Sequence, residues 1–420
     1  LVLMNPPYAE ATNAENKGDG SNSGNKTGVA KTKFTSFTKT KFGKASNELY
    51  TQFIARIAQE IPTATIAMFS TLKYVVSPTL EMFRNNWKAE YLNGFVVHSK
   101  AFDGLKGNFP IAFLIWKTNN IESAKGKAIE EITTDVLDKN ATPIGEKLFF
   151  NSPNNRLLTN WIERPKINKA EAIPLKNAVV AATSTKDLRG LFWSDNAIGY
   201  MYCGVNDLQH AIQQTVIFSS TYGSGHGFFV NPNNLWQAAI VFSVRRLSKP
   251  TWLNDRDQFL QPTKPLTEEF KTDCLIWMLF NGSNLTASAN GLEWNNKKWS
   301  IVNHFIPFTE EEVNAPERFE SDFMQQYLSD KTISPEASTV LSEGKKLWQA
   351  FFAHTDVASV REELKLNRSD VGWYQIRKAL QARNESGDYA PVNFKPFEEA
   401  YKTLTEKLQP QVYELGFLKA

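Results

Sequence analysis

Four residues near the beginning of the chain have types and spacing that suit chemistry on an aromatic amine. Asn5-Pro6-Pro7-Tyr8 follows the apolar run 1–4, which predicts a short buried strand. Open α/β sheets place their active sites at the carboxyl ends of such strands. The sequence therefore predicts a site at these four residues, although a tetrapeptide with two prolines also occurs in ordinary loops.

The chemistry that these residue types favour is activation of a nitrogen conjugated to a heteroaromatic ring. Such a nitrogen is a poor nucleophile because its lone pair is delocalised. The side-chain carbonyl of Asn5 and a backbone carbonyl can accept its two N–H bonds and draw it toward tetrahedral geometry. Pro6 and Pro7 stiffen the turn that holds the carbonyls, and Tyr8 offers a face on which an extruded ring can stack. We therefore predict catalytic roles for all four residues.

The stretch 9–46 that follows is polar and rich in Gly, Ser, Asn, Thr and Lys. It holds few apolar groups to offset the entropy of ordering, so we expect a mobile basic loop. Lys31, Lys33, Lys39 and Lys41 are interleaved with aromatic residues, a pattern that suits contact with a nucleic-acid strand. A solvated linker is the alternative.

The next elements must position the motif. Apolar periodicity predicts helices over 47–58 and 78–89, and strands over 64–69, 91–98 and 111–117. This order is typical of the second half of an α/β sheet that carries an antiparallel edge hairpin. A partial catalytic domain would then occupy residues 1–118.

Beyond it, residues 119–308 mix short strands and turns with no long helical period, and residues 309–420 return to helix, notably over 338–353, 373–383 and 396–408. We expect the first stretch to be a mixed α+β region and the second to be a helical C-terminal region. Local basic patches are candidates for contact with nucleic acid. They are Arg245, Arg246, Lys297 and Lys298, each with a solvated turn or strand end as the alternative.

The motif and the order of elements over residues 1–118 resemble the gamma-type adenine-N6 DNA methyltransferases of restriction–modification systems. The resemblance implies a Rossmann-like sheet and transfer of a methyl group from S-adenosyl-L-methionine to the N6 of an adenine flipped out of duplex DNA. It puts Asn5 and the Pro6 carbonyl on the amino group and Tyr8 against the base. Because such an enzyme must read sequence, it also implies that residues 119–308 recognise DNA, with the basic patches there as candidates for DNA binding. The family also has an aromatic residue before its last strand, over the other face of the base. Phe109 matches that place; it is otherwise an ordinary hairpin-tip aromatic.

The sequence departs from the family at the cofactor site. The family's Gly-rich turn and acidic ribose ligand precede the Asn-Pro-Pro-Tyr motif, and here nothing precedes it, so we expect a truncated chain that is inactive alone. The Gly-rich segment 222–227 is a weak substitute, because Phe228 and its successors do not start a helix and residues 240–250 hold no acid. S-adenosyl-L-methionine is thus expected without its main binding motif.

The composition limits the partners and the cell compartment that are consistent with the sequence. The chain has 420 residues, 22% of them charged, with a net charge of +3, so any nucleic-acid surface must come from local clustering. Cys203 and Cys274 make no disulfide framework, no Cys/His cluster has zinc spacing, and no run of apolar residues spans a membrane. We expect a cytoplasmic protein whose partner is double-stranded DNA, with restriction or specificity subunits as further candidates. A methyltransferase for an RNA base or protein glutamine, or a non-catalytic DNA-specificity module, are the alternatives.

Overall fold

The computed structural model of the chain describes residues 1–7, 33–105, 107–119, 126–168, 171–173, 193–221, 227–354, 368–381, 387 and 390–419. The chain divides into two units. The first comprises Leu1–Arg156 and Pro250–Gln258, and the second comprises Leu157–Lys249 and Phe259–Ala420. These boundaries differ from those predicted at 118 and 308, since strands pair with the first sheet well beyond residue 118 and the C-terminal helices share a core with earlier ones.

The first unit is built on a mixed sheet with helices between its strands. Its elements are β1 (Val2–Met4), α1 (Lys33–Phe42), a 3₁₀ turn (Gly43–Asn47), α2 (Leu49–Glu60), β2 (Thr65–Ser70), α3 (Lys73–Val76), a 3₁₀ turn (Pro78–Leu80), α4 (Glu81–Trp87), β3 (Glu90–His98), a 3₁₀ turn (Ser99–Ala101), β4 (Pro110–Lys117), β5 (Glu131–Leu137) and β6 (Pro143–Phe150). The predicted strands over 64–69, 91–98 and 111–117 and the helix over 47–58 are confirmed to within two residues at nearly every end.

The sheet of the first unit has the strand order β1-β2-β4-β3-β5-β6. Strand β1 runs parallel to β2, β4 runs antiparallel to both β2 and β3, β5 runs parallel to β3, and β6 closes the sheet antiparallel to β5. The β3–β4 hairpin is therefore internal, and the expectation that these two strands form the antiparallel edge is wrong. The antiparallel hairpin of β5 and β6 forms that edge, and β5 pairs next to β3 with its alternating pattern burying Ile132 and Val136.

Helices α2, α3 and α4 cover one face of this sheet. Ile66 and Met68 of β2 and Trp116 of β4 are fully buried in one cluster with apolar residues of the three helices. The Trp116 indole donates a hydrogen bond of 2.9 Å to the Tyr74 hydroxyl, and burial raises the pKa of Tyr74 well above its ordinary value. Helix α2 is amphipathic, with Tyr50, Ile54 and Ala58 inward, whereas Phe53, which the apolar spacing places on the same face, is exposed.

The opposite face of the sheet is apolar near β1, β2 and β4. Leu3 of β1 is 72% exposed there, and it aligns with Ala67 of β2. Phe69 lies 4.8 Å from Phe113 and 6.4 Å from Phe95, measured between ring centroids. These aromatic rings are partly buried, so they form a small cluster on the face away from α2.

Part of the stretch predicted to be a mobile loop is folded. Residues 33–47 form α1 and the 3₁₀ turn, so the expectation for 9–46 is wrong there, while 9–32 lie outside the described residues. Phe42 and Ala45 are buried, and the Phe42 ring lies 5.2 Å from that of Phe83. A few well-placed apolar side chains are enough to dock a short helix, although the mean composition is polar.

The second unit combines a small sheet with a helical core. Its elements are β7 (Ile167–Asn168), β8 (Trp193–Ser194), β9 (Gly199–Cys203), α5 (Leu208–Ala211), β10 (Thr215–Phe218), β11 (Gly227–Val230), α6 (Leu235–Leu247), α7 (Glu268–Leu279), β12 (Asn284–Leu285), β13 (Ala289–Trp294), β14 (Lys297–Ile301), α8 (Glu310–Val313), α9 (Phe323–Ser329), α10 (Pro335–His354), α11 (Trp373–Gln381) and α12 (Lys395–Glu414). The order in its four-stranded sheet is β11-β9-β10-β12, and β13 pairs with β14 as a separate hairpin.

Helices α6 and α7 contradict the expectation that 119–308 holds no long helix. Nearly every residue of both helices is buried, including polar ones such as Ser243 and Asp273. A helix that is buried all round has no polar stripe, and its sequence therefore lacks the 3.6-residue alternation on which the prediction depends. The chain is thus a mixed α/β protein in which central helices, not turns, form the core of the second unit.

The C-terminal helices follow the predicted pattern. Helices α10, α11 and α12 confirm the predicted stretches, with α10 and α12 extending beyond them. Helix α12 continues through Pro410 to Glu414. Val412 and Phe417 beyond the proline are fully buried, and this packing offsets the backbone hydrogen bond that proline cannot donate.

Candidate functional site

The predicted motif lies at the carboxyl edge of the parallel pair β1–β2. Asn5 follows Met4 directly, and Met4 aligns with Met68 two residues before the end of β2. Asn5 and Pro7 are exposed and Pro6 is buried. A short apolar strand thus ends in a turn that is held by one proline and presents the Asn5 side chain outward. Tyr8 lies outside the described residues, so its position beside this turn stays a prediction.

Phe109 lies at the same edge of the sheet. Strand β4 runs antiparallel to β2 and pairs Ala112 with Ser70, so the residue before β4 is next to the end of β2. The structure therefore brings Phe109 and Asn5 to one edge, separated by strand β2. The Phe109 side chain is partly buried.

Ser99, which the sequence did not single out, fixes the loop that carries Phe109. The Ser99 hydroxyl donates to the Gly107 carbonyl at 2.6 Å, and the Ser99 amide donates to the Phe109 carbonyl at 3.0 Å. Ser99 is fully buried. A Cβ on Gly107 would lie 2.5 Å from the Phe109 ring. The absence of a side chain at Gly107 therefore lets the Phe109 ring pack against the backbone of its own loop. These contacts hold the backbone of the loop that presents the Phe109 ring at the edge.

A further aromatic pair lies where β3 ends. The His98 and Trp252 rings are 4.8 Å apart between centroids, and His98 is paired with Pro110, the residue after Phe109. Burial and then Lys100 lower the pKa of His98. Trp252 belongs to the segment Pro250–Gln258, which joins the first unit from a distant part of the sequence. No local pattern could have placed it at this edge.

An ion pair anchors that segment to the sheet. Lys147 of β6 and Asp257 are 2.8 Å apart, and both side chains are largely buried. Burial raises the pKa of Asp257 against the opposing effect of Lys147. Breaking such a pair on one side leaves an uncompensated buried charge. The carboxyl edge of this sheet therefore carries an exposed amide, a phenyl ring on a hydrogen-bonded loop and a tethered indole.

The predicted basic loop contributes less than expected to the described surface. Lys39 is exposed on α1 and Lys41 is partly buried. Lys33 begins α1, and Lys31 lies outside the described residues. Lysines near the last turn of α1 also suit the negative end of the helix dipole. Lys39 remains a candidate for contact with a phosphate.

Arg245 is not a surface residue, and its assignment to DNA binding is wrong. Its side chain is fully buried at the end of α6. The guanidinium donates to the Thr215 hydroxyl at 2.8 Å, to the Val205 carbonyl at 2.7 Å and to the Gly204 carbonyl at 2.6 Å. The buried guanidinium stabilises the loop before α5 through these hydrogen bonds. It is not accessible to a phosphate of DNA.

Arg246 is also engaged within the second unit. Its Nε donates to the Asn281 side chain at 3.0 Å and its Nη1 donates to the Thr215 carbonyl at 2.9 Å. Burial lowers the pKa of Arg246. In the sequence, Arg245 and Arg246 have the pattern of a basic patch. In the structure, both guanidinium groups bind backbone and side-chain oxygens of the second unit.

Lys297 and Lys298 stand on the hairpin of β13 and β14, where both are exposed. The Lys297 ammonium pairs with Glu171 at 2.7 Å, and Lys298 is directly opposite Glu293 in the hairpin. The two lysines are thus matched by two carboxylates. They remain accessible to DNA, but the local charge is close to balanced.

The described residues do not supply the Gly-rich turn that S-adenosyl-L-methionine would need. Strand β2 leads to α3 through Thr71 and Leu72 without a glycine. In the segment 222–227, only Gly227 is described, and it begins strand β11 where a cofactor turn would open a helix. Over the described ranges, no group of three acidic, His or Cys side chains is placed to hold a metal ion.

Comparison of the sequence with models of known protein families and with curated proteins finds no match. No helix in the described part of the chain is long and apolar enough to cross a bilayer. The site's own geometry is therefore the basis for any functional assignment.

Proposed function

We propose that this chain carries the catalytic edge and the DNA-reading region of an adenine-N6 DNA methyltransferase with a Rossmann-like sheet. The observation that supports it best is that Asn5-Pro6-Pro7 and Phe109 lie at one edge of the sheet, where β1 ends and β4 begins, with β2 between them. An amide acceptor and an aromatic ring at one sheet edge suit a base that has left its duplex.

In the proposed reaction, the residues of this chain activate the amine. The Asn5 side-chain carbonyl and the Pro6 backbone carbonyl accept the two N–H bonds of the adenine amino group, and the nitrogen lone pair becomes available for attack. Phe109 stacks on the base and limits its rotation. Ser99 acts as a positioning residue, since it holds the loop of Phe109 through two hydrogen bonds. S-adenosyl-L-methionine would supply the methyl group.

A labelled-methyl assay tests the proposal. The complete protein as its gene encodes it is incubated with labelled S-adenosyl-L-methionine and with duplex DNA, RNA and protein in separate reactions. We expect label at adenine N6 of duplex DNA. Label confined to RNA or to protein would contradict the proposal and favour the corresponding alternative substrate.

Variants at the edge test the assigned roles. Asn5→Ala should lower the methylation rate constant about 100-fold to 1000-fold, as loss of one positioned partner of the transition state does, with duplex affinity nearly unchanged. Asn85→Ala, at an exposed site on α4, is the matched control and should methylate normally. Equal rates for the two variants would exclude the proposed role of Asn5.

A further inference from the structure

A cleft in the second unit has no role in the proposed methylation chemistry. It has a volume of about 260 Å³, and Trp193 and Trp299 line it together with Ser219, Ser220, His304 and Glu171. All of these residues belong to the second unit, whereas the candidate catalytic edge belongs to the first. A cleft of this size, just under the range usual for small-molecule sites, admits a single ring system.

The walls of the cleft are aromatic and rigid. Trp193 and Trp299 are partly buried and pack on a cluster that includes the buried residues Phe229 and Ile301. The Trp193 ring lies 5.2 Å from Phe229 in an edge-on contact. The Trp299 indole N–H donates to the Trp294 carbonyl at 2.8 Å, which fixes its plane. Indoles that are held in this way offer faces for stacking at little entropic cost.

Most polar groups of the cleft already have partners in the protein. The Ser219 hydroxyl accepts from the Ala287 amide at 2.9 Å, the Ser220 hydroxyl donates to the Ile173 carbonyl, and His304 Nδ1 bonds with the Ser321 hydroxyl at 2.7 Å. These bonds keep the lining in place and leave little that would select a highly polar ligand.

Glu171 differs from these groups. Its carboxylate pairs with Lys297 at 2.7 Å, and about a third of the side chain remains exposed. A carboxylate can accept several hydrogen bonds at once, so it can still bind an N–H of a ligand. It would repel a phosphate placed inside the cleft. The chemistry of the lining therefore favours an uncharged planar ring with an amino group.

We propose that this cleft binds an unstacked nucleobase that carries an exocyclic amino group, by stacking on Trp193 and Trp299 and by donation to Glu171. The inference rests on the proposed function for its choice of nucleic acid as the ligand. The site is separate from the methylation edge, so it would hold a second base of a locally opened strand. Stacking is tolerant of sequence. The carboxylate adds a preference for adenine, cytosine or guanine, whose exocyclic amino group carries two N–H donors, over thymine, which offers only its ring N–H.

Binding of a short single-stranded oligodeoxynucleotide with one 2-aminopurine tests the inference, with anisotropy for affinity and base emission for stacking. Trp299→Ala should weaken binding about 5-fold to 150-fold, the loss expected for one stacked base, and Trp299→Phe should restore most of it. Trp236→Ala is the control, because Trp236 is a partly buried indole of the same unit that lies under Lys271, outside the cleft lining.

Glu171→Gln gives a second readout that does not depend on the fold of the core. It should reduce the preference for a cytosine-containing strand over a thymine-only strand. The inference is overturned if Trp299→Ala binds single strands as tightly as Trp236→Ala, or if the wild-type protein binds no single strand. If the wild-type protein does not methylate duplex DNA but its single-strand binding still depends on Trp299, the proposed function is overturned and the inference about the cleft is not.

Discussion

Replacement of Arg245 by methionine separates a structural role from a role in DNA binding. The guanidinium is fully buried and donates three hydrogen bonds of 2.6–2.8 Å. Methionine keeps the length and apolar stem of the side chain but removes every donor. The Thr215 hydroxyl and the Gly204 carbonyl would then be left without these donors in the interior, whereas the carbonyl of the exposed Val205 can bind water. At about 1–2 kcal/mol for each of the two buried acceptors, Arg245→Met should lower the free energy of unfolding by about 2–4 kcal/mol.

Urea denaturation followed by far-UV circular dichroism measures this change, with the transition of the second unit as the readout. Lys298→Ala is the control, because that side chain is exposed and its loss should change stability by less than about 0.5 kcal/mol. Arg245→Lys should fall between the two, since one ammonium cannot reach all three acceptors. A stable Arg245→Met protein that has lost affinity for duplex DNA would refute the assignment of Arg245 to the fold.

Three further predictions concern other parts of the chain. Gly94→Ala should lower the free energy of unfolding of the first unit by about 1–3 kcal/mol in urea, because its Cβ would lie 2.5 Å from the Phe113 carbonyl oxygen. A Gly94→Ala protein as stable as the wild type would show that β3 and β4 can move apart to admit the methyl group. Burial lowers the pKa of His304 below its ordinary value of 6.5. As the pH drops through 6.5, His304 is therefore protonated in the unfolded chain before it is protonated in the folded protein, and the free energy of unfolding should fall. In His304→Gln, the free energy of unfolding should fall less steeply with pH. An unchanged pH dependence would mean that other groups cause the fall. Lys39→Gln should reduce the salt dependence of duplex binding by about one counterion, whereas Lys402→Gln, at 74% side-chain exposure on α12, should leave it unchanged.

The strands around the candidate site could be predicted because their signals are local. Each of β2, β3 and β4 is an apolar run bounded by turn residues, and the structure places them within two residues of the prediction. Since the motif directly follows a strand, its place at a sheet edge also follows from the sequence. The nearness of Phe109 depended on strand order, which the resemblance supplied and which a local pattern does not contain.

The contacts that the sequence could not show are long-range. Trp252 contacts His98 across more than 150 positions, and Lys147 pairs with Asp257 across 110 positions. Arg245 illustrates the same limit, because a basic dipeptide looks alike in sequence whether it faces solvent or buried carbonyls. Helices α6 and α7 were missed for a different reason, since burial on all sides removes the periodicity of an amphipathic helix.

The prolines after β1 also limit how far this strand can pair. Among the described residues, β1 pairs with β2 alone, and Leu1 and Leu3 are 93% and 72% exposed. An apolar outer strand is a template on which another polypeptide can add a strand. Pro6 and Pro7 have no amide hydrogen to offer, so pairing along β1 cannot continue through the turn that follows it. A turn suited to holding carbonyls for a nucleobase would thus also set the point at which strand addition stops.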